Sequence, residues 1–272
     1  MRLWLFIALL ACLAPSAMAQ RTLRIRGSDT LGAKLVPQLA ERFKMTQGRH
    51  LLSFDIAAEG SSTAFTNLAA GTADIGMSSR RVKAEEKRLF AQAGLSLHEI
   101  EIAWDLIVIV VNERNTLRAL SRGQVRQIFG GEVLYWTEIG GGPGRISAYT
   151  RNTSSGAYRD FMSLALDGLE YGERTQKMAG NEQIAAEVAA NLHGIGYVGS
   201  AYAGAKGTRV VEIDGIAPVA AEVRRYPFAR PTYLYTCGAP SGLVKDFIDY
   251  ISTPEGQQIV ETCGFVPKSK AP

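Results

Sequence analysis

Histidine and cysteine are both scarce in this chain, with three of each among 272 residues. His50, His98 and His193 stand far from one another and from the cysteines, so no zinc-ligand spacing occurs. An excess of one charge is also missing, because 30 Lys and Arg face 26 Asp and Glu for a net charge of +4. The charges are interspersed: Arg80 and Arg81 are soon followed by Glu85 and Glu86, which reads as a solvated surface and not a nucleic-acid-binding face. Apolar residues at 46% and charged residues at 21% exclude both a disordered chain and a collagen-like one. There is no internal repeat and no low-complexity tract. The Gly-x-Ser-x-Gly elbow, the Ser-x-x-Lys pair and the Walker sequence are all absent, which argues against a hydrolase or a nucleotide-driven enzyme. Gly194-Ile195-Gly196-Tyr197-Val198-Gly199 spells a dinucleotide fingerprint. A helical stripe precedes it and a strand runs through it, the reverse of what that fingerprint requires, so no cofactor is expected.

One apolar run stands out. Met1-Arg2 is followed by Leu3 to Leu13 and then by Ala17-Met18-Ala19 before Gln20. A positive charge, a short hydrophobic run and an A-x-A site describe a secretory signal over residues 1–19, and the run is too short to anchor the chain in a bilayer. The mature chain is expected to begin near Gln20 and to be periplasmic. Leu9-Leu10-Ala11-Cys12 loosely resembles a lipoprotein cleavage box, but Cys12 would leave an unusually short signal, so a lipid anchor is not expected. Removing the signal leaves Cys237 and Cys263, which an oxidising compartment would allow to pair as a candidate disulfide.

Strand-like and helical patterns alternate along the remainder. Leu23 to Arg26, Leu51 to Ala57, Trp104 to Val111, Ile146 to Thr150, Ile195 to Val198 and Tyr233 to Thr236 read as strands. Leu35, Leu39 and Phe43 recur at helical spacing, as do Ile184, Val188 and Leu192, and again Leu243, Phe247 and Ile251. Pro37 fits if its helix starts near Lys34, which places the proline in the opening turn. The alternation predicts an α/β architecture.

Three strand-to-helix junctions share one composition: Gly27-Ser28-Asp29-Thr30, Gly60-Ser61-Ser62-Thr63 and Arg151-Asn152-Thr153-Ser154-Ser155-Gly156-Ala157. Glycine permits close backbone approach, hydroxyls add donors, and a helix start offers unpaired N–H groups with partial positive charge. Ser and Thr are also common helix caps, so each junction taken singly has a plain structural reading. Three together, one led by an arginine, point to an oxyanion pocket.

The same residues carry a resemblance. The chain is similar to the periplasmic phosphate-binding proteins of ABC importers, through the Gly-Ser-Asp-Thr opening and Gly60-Ser61-Ser62-Thr63-Ala64. The likeness continues in Gly71-Thr72-Ala73-Asp74-Ile75-Gly76-Met77-Ser78-Ser79-Arg80, in Arg151 to Ala157, in Ile195-Gly196-Tyr197 and in Gly264-Phe265-Val266-Pro267. It implies a two-lobed type II binding-protein fold with the anion in the cleft, one lobe formed by residues 20–107 and 230–272 and the other by 108–229. It also implies a monomer whose partners are inorganic phosphate, or a related oxyanion, and an ABC transporter permease. A stand-alone phosphate sensor or scavenger would need the same cleft. The family's ligand positions fall on Asp29, Thr30, Ser61, Ser62 and Ser79 in the first lobe, and on Arg151, Ser155, Gly156 and Ala157 in the second.

Two positions depart from that pattern. Ala157 replaces a threonine found in many relatives and can offer only its backbone N–H. Ser79 stands where the best-known relatives have a carboxylate that accepts the phosphate proton and rejects sulfate. Asp29 brings a carboxylate to a position where those relatives use threonine, so it is the candidate acceptor; otherwise it caps its helix and faces away from the cleft. Arg80 either pairs with Glu85 or lines the cleft rim, and Asp74 holds a loop.

Overall fold

A computed structural model describes residues 21–46 and 52–270. The secretory segment 1–19 and the expected strand start at Leu51 lie outside the described residues. The chain opens with β1 (Arg21–Gly27), where Leu23 and Ile25 turn inward between exposed or half-buried neighbours. The short α1 (Asp29–Gly32) leads into α2 (Leu35–Thr46), which buries Leu35, Leu39 and Phe43 along one face and holds Pro37 in its first turn. Next come β2 (Leu52–Ala57), α3 (Ser61–Ala69), β3 (Ile75–Ser78) and α4 (Ala84–Gln92). The long β4 (Leu97–Asn112) follows, extending well beyond the run that the sequence marks as a strand.

The second half contains β5 (Ala119–Leu120), α5 (Arg122–Gly130), β6 (Ser147–Arg151), α6 (Gly156–Ala165) and β7 (Gln176–Met178). It continues with α7 (Asn181–Ala190), β8 (Gly194–Gly199), β9 (Thr208–Val210) and β10 (Glu212–Ile213). The chain then returns through β11 (Ala229–Cys237) and closes with α8 (Gly242–Ile251), α9 (Pro254–Thr262) and β12 (Val266–Pro267). Leu192 lies past the end of α7 and is 42% exposed, so the apolar stripe of that helix stops at Val188. Asn191 is extended with φ −111° and ψ 112°, which turns the following residue outward.

The strands run in the order β2-β1-β3-β11-β4-β8-β6-β7. Strand β4 joins the two parts: Leu97 to Leu106 pair with β11, and Ile107 to Val111 pair with β8. The apolar run from Leu106 to Val111 is buried on both faces, as a strand inside a covered sheet must be. One core gathers Ile107, Val110, Phe129, Phe161, Tyr197 and Phe228 around the second part. The other gathers Leu35, Phe43, Ile75, Phe247 and Phe265 around the first. These two cores make the molecule two-lobed and α/β.

The expected disulfide is not formed, and both thiols are free. Cys237 ends β11, with its Sγ directed at the Leu68 carbonyl 3.5 Å away. Cys263 follows α9 and is buried in the core of that lobe with Phe43 and Phe247, so sheet and helix layers hold the thiols apart.

Glycine decides where the loops at the sheet edge meet. Gly27 has φ +134°, and a side-chain carbon there would lie 2.1 Å from the Met77 carbonyl oxygen. With no side chain, Ser28 N–H donates to that oxygen at 2.8 Å while Gly27 O accepts from Gly60 N–H at 2.7 Å. The first two predicted loops are thereby tied together. Replacing Gly27 by Ala is expected to lower the unfolding free energy by about 2 kcal/mol or more, because it adds a backbone clash to an unfavourable φ. Urea denaturation followed by circular dichroism measures this.

Candidate oxyanion-binding site

Arg151 is the last residue of β6 and is 1% exposed. Its Nη2 donates to Ala179 O at 2.9 Å, and its backbone N–H donates to the Tyr197 hydroxyl at 3.2 Å. That hydroxyl also lies 2.6 Å from Thr150 Oγ1 and 3.0 Å from the Tyr171 hydroxyl, forming a polar floor beneath the arginine. Burial pushes both phenols above their ordinary pKa, so the floor stays neutral. Arg151 Nε and Nη1 are buried with no hydrogen-bond partner within the chain. Burial pulls the guanidinium below its ordinary value, and the charge of Asp29 opposes that pull.

Asp29 faces the cleft. The cap of α1 is Ser28, whose Oγ accepts from Leu31 N–H at 3.4 Å, so Asp29 is left to reach across. Its Oδ2 lies 3.0 Å from Arg151 Nη1, out of line for a hydrogen bond, and it accepts from the backbone N–H and side-chain amide of Asn181 at 3.1 and 2.6 Å.

Ser61 and Ser79 meet deeper in the junction. Their hydroxyl oxygens are 3.3 Å apart, and Ser79 N–H donates to Ser61 Oγ at 3.1 Å. Gly156, the first residue of α6, comes at them from the opposite lobe. A side-chain carbon on Gly156 would stand 2.4 Å from Ser61 Oγ and 2.5 Å from Ser79 Oγ. The start of α6 therefore lies directly against the two serines, and a helix N-terminus favours negative charge. Ser155 caps the helix by accepting from Tyr158 N–H at 3.4 Å, which fixes the direction of the turn. Ala157 is 1% exposed and joins the apolar core behind this turn, so its contribution to the cleft is its backbone. Ser62 ties the lobes at the rim: its N–H donates to Ser154 O at 3.3 Å, and its Oγ accepts from Arg80 Nη2 at 3.1 Å. Arg80 pairs with Glu86 at 2.6 Å and not with Glu85, while Asp74 pairs with Arg24 at 2.8 Å away from the cleft.

The structure adds residues that the sequence pattern did not flag. Arg230 from β11, 3% exposed, donates to Asp105 Oδ2 from Nε at 3.1 Å and from Nη2 at 2.8 Å. It also reaches Asp160 at 3.2 Å and approaches Thr30 Oγ1 at 3.5 Å. Burial works against the Arg230 charge, but the two carboxylates outweigh it and raise its pKa. Burial pushes the Asp160 carboxyl up, and Arg230 opposes that rise. The remaining oxygen of Asp105 accepts from the backbone N–H and hydroxyl of Ser200, both at 3.0 Å. A lone carboxylate in the apolar run Ala103-Trp104-Asp105-Leu106-Ile107 was the one available signal of this pair. Asn181 had no signal beyond its place at a helix start.

Among the described residues, no group of three or more His, Cys, Asp or Glu is placed to hold a metal ion, and no helix is long and apolar enough to cross a membrane. Asp105→Asn should destabilise the fold by about 3 kcal/mol, since it leaves a buried guanidinium short of its main partner. Urea melting of the purified variant reads this directly.

Comparison with known proteins gives one consistent answer. A family model described as a PBP superfamily domain matches residues 14–255. The chain is 30% identical to the phosphate-binding protein PstS of Bacillus subtilis over 252 residues, covering 92% of this chain and 81% of that protein. The PstS of Pseudomonas aeruginosa is also 30% identical, with 89% of this chain and 81% of that protein covered. Among solved structures, an ABC-transporter substrate-binding protein from Clostridium perfringens, crystallised with bound phosphate, has a TM-score of 0.83 at 30% identity. It covers 91% of this chain and 99% of its own. An ABC-type phosphate transport receptor from Vibrio cholerae has the same fold, with a TM-score of 0.71 at 23% identity and coverage of 90% and 99%. The chain belongs to the PBP superfamily and, within it, to the PstS-like phosphate-binding proteins.

Proposed function

We infer that this chain is an exported solute-binding protein that captures inorganic phosphate between its lobes and hands it to an ABC importer. The observation that carries the reading is the buried Arg151 guanidinium, with two nitrogens lacking hydrogen bonds, beside the Ser61–Ser79 pair and the α6 N-terminus. A tetrahedral oxyanion supplies the acceptors these donors lack. Arg151 contributes the fork that suits two oxygens. Ser61, Ser79 and Thr30 contribute hydroxyls, and Ser155, Gly156 and Ala157 contribute the amides of a helix start. Ser62 holds the second loop at the lobe junction.

The lobe division at residues 107–108 and 229–230 belongs to this reading. It is supported by β4, whose partner changes from β11 to β8 between Leu106 and Ile107. Binding alone is sufficient for the task. Micromolar capture needs about 8 kcal/mol, and each hydrogen bond with a charged group contributes about 1.5–3 kcal/mol net. The protein acts as a monomer by holding its ligand, without covalent chemistry or a cofactor, and a permease is its receiving partner.

Asp29 supplies the selectivity in this reading. An ionised carboxylate only accepts, so it favours an anion that still carries a proton and repels one with none to give. Isothermal calorimetry with phosphate, sulfate, arsenate and molybdate tests the assignment. Phosphate should bind with micromolar or tighter affinity, and Arg151→Lys should weaken it by roughly tenfold or more, because a point charge replaces a fork. Asp29→Asn should narrow the preference for phosphate over sulfate. An unaltered preference would remove Asp29 from the acceptor role.

A further inference from the structure

Several pairs close across the cleft, among them Ser62 N–H with Ser154 O and Arg230 with Asp160. One further pair engages the candidate acceptor Asp29 itself. Asp29 stands at the start of α1 in the first lobe and Asn181 at the start of α7 in the second. Asn181 is fully buried, and its polar atoms are committed. Gly199 N–H donates to its Oδ1 at 3.1 Å, so the oxygen is held by the β8 backbone. The amide nitrogen must then face the carboxylate, and it does, at 2.6 Å. The backbone N–H of the same residue donates to the same Oδ2 at 3.1 Å. Gly180, the cap residue ahead of α7, has no side chain and makes no cap bond, which leaves this helix start open to the carboxylate.

We propose that Asn181 is a positioning residue for ligand capture, the second-lobe half of a clasp on Asp29 that forms when the lobes close and sets how long the ligand stays. The idea rests on the phosphate-capture reading above. A contact made only in the closed state adds nothing to the first encounter, which occurs in an open cleft. It must be broken before release, so its strength appears in the dissociation rate. It also holds Asp29 Oδ2 3.0 Å from Arg151 Nη1. The clasp touches protein on both sides, so it serves every tetrahedral anion alike, unlike the discriminating role proposed for the Asp29 carboxylate.

The surroundings are suited to a stable carboxylate–amide pair. Arg151 from β6 faces it with a positive charge, and Glu182 on α7 and Tyr202 lie within electrostatic reach. Burial and the neighbouring Asp29 and Glu182 charges push the Tyr202 phenol up to about 12, so it stays neutral through the working range. Lys34 Nζ sits 4.6 Å above the centre of that ring.

Stopped-flow binding of phosphate and arsenate to the full mature chain and to Asn181→Ala tests the clasp. The loss of hydrogen bonds to a carboxylate should raise both dissociation rates by roughly 10- to 100-fold, and by the same factor, while association rates stay within about twofold. Equal dissociation rates in variant and wild type would overturn the proposal, as would a change confined to association. A wild type that takes no phosphate would instead defeat the capture reading, so the two failures are distinguishable.

Asn181→Asp keeps the shape and covers the case in which the alanine variant does not fold. It sets carboxylate against carboxylate at neutral pH, and one shared proton restores the bond in the carboxylate range. Its affinity deficit relative to wild type should therefore shrink as the pH falls from about 7 to about 5. A deficit that stays constant over that range would exclude the clasp.

Discussion

A guanidinium withdrawn from water is the constraint around which this molecule is organised. Arg151 is 1% exposed, and moving such an ion out of water costs several kcal/mol unless charge and hydrogen bonds replace the lost hydration. The chain supplies part of the replacement through Ala179 O, the Tyr197–Thr150–Tyr171 floor and Asp29 from the other lobe. Two nitrogens are left without hydrogen-bond partners. In the proposed phosphate-capture reading an oxyanion completes the set, so closing the lobes and engaging the ligand become energetically one event. The helix start at Gly156 adds dipoles fixed by the backbone, which need no reorganisation when charge arrives.

The same logic governs the crossing strands. β4 and β11 carry the chain between lobes, and their buried charges meet in Arg230 and Asp105 beside Thr30. A buried ion pair of this kind is weak evidence for stability, yet removing either partner strands the other. Its placement at the junction holds the strands that carry both lobes while leaving the loop tips to approach one another. Gly27, Gly60 and Gly156 set the distance of that approach, because each lies where a side chain would strike the neighbouring loop.

Much of this was legible in advance. The alternation of strand and helix runs marked the layers, since burial imposes periods of two and 3.6 residues directly on the sequence. Each of the three loops taken singly could have been an ordinary helix cap, but three of one composition, one led by an arginine, made them legible together, and the structure brings Ser61, Ser79 and Gly156 together and sets Asp29 against Arg151. Other features were hidden. Cys237 and Cys263 have no local signal of distance, and the layers between them leave both thiols free. Leu192 kept the helical spacing but fell beyond an extended residue that had already ended its helix. Arg230 and Asp105 lie 125 residues apart, and only the antiparallel register of β11 on β4 makes them partners.

Residue order alone therefore determined the α/β class, the loops that carry the donors and the arginine that leads one of them, because each follows from local chemistry and short-range periodicity. The pairing of Asp29 with Asn181, the burial of Arg230 against Asp105 and the separation of the cysteines were decided by tertiary structure. Those depend on which surfaces face each other once a single strand has passed from one lobe to the other. That relation between distant segments exists only when the sheet has formed.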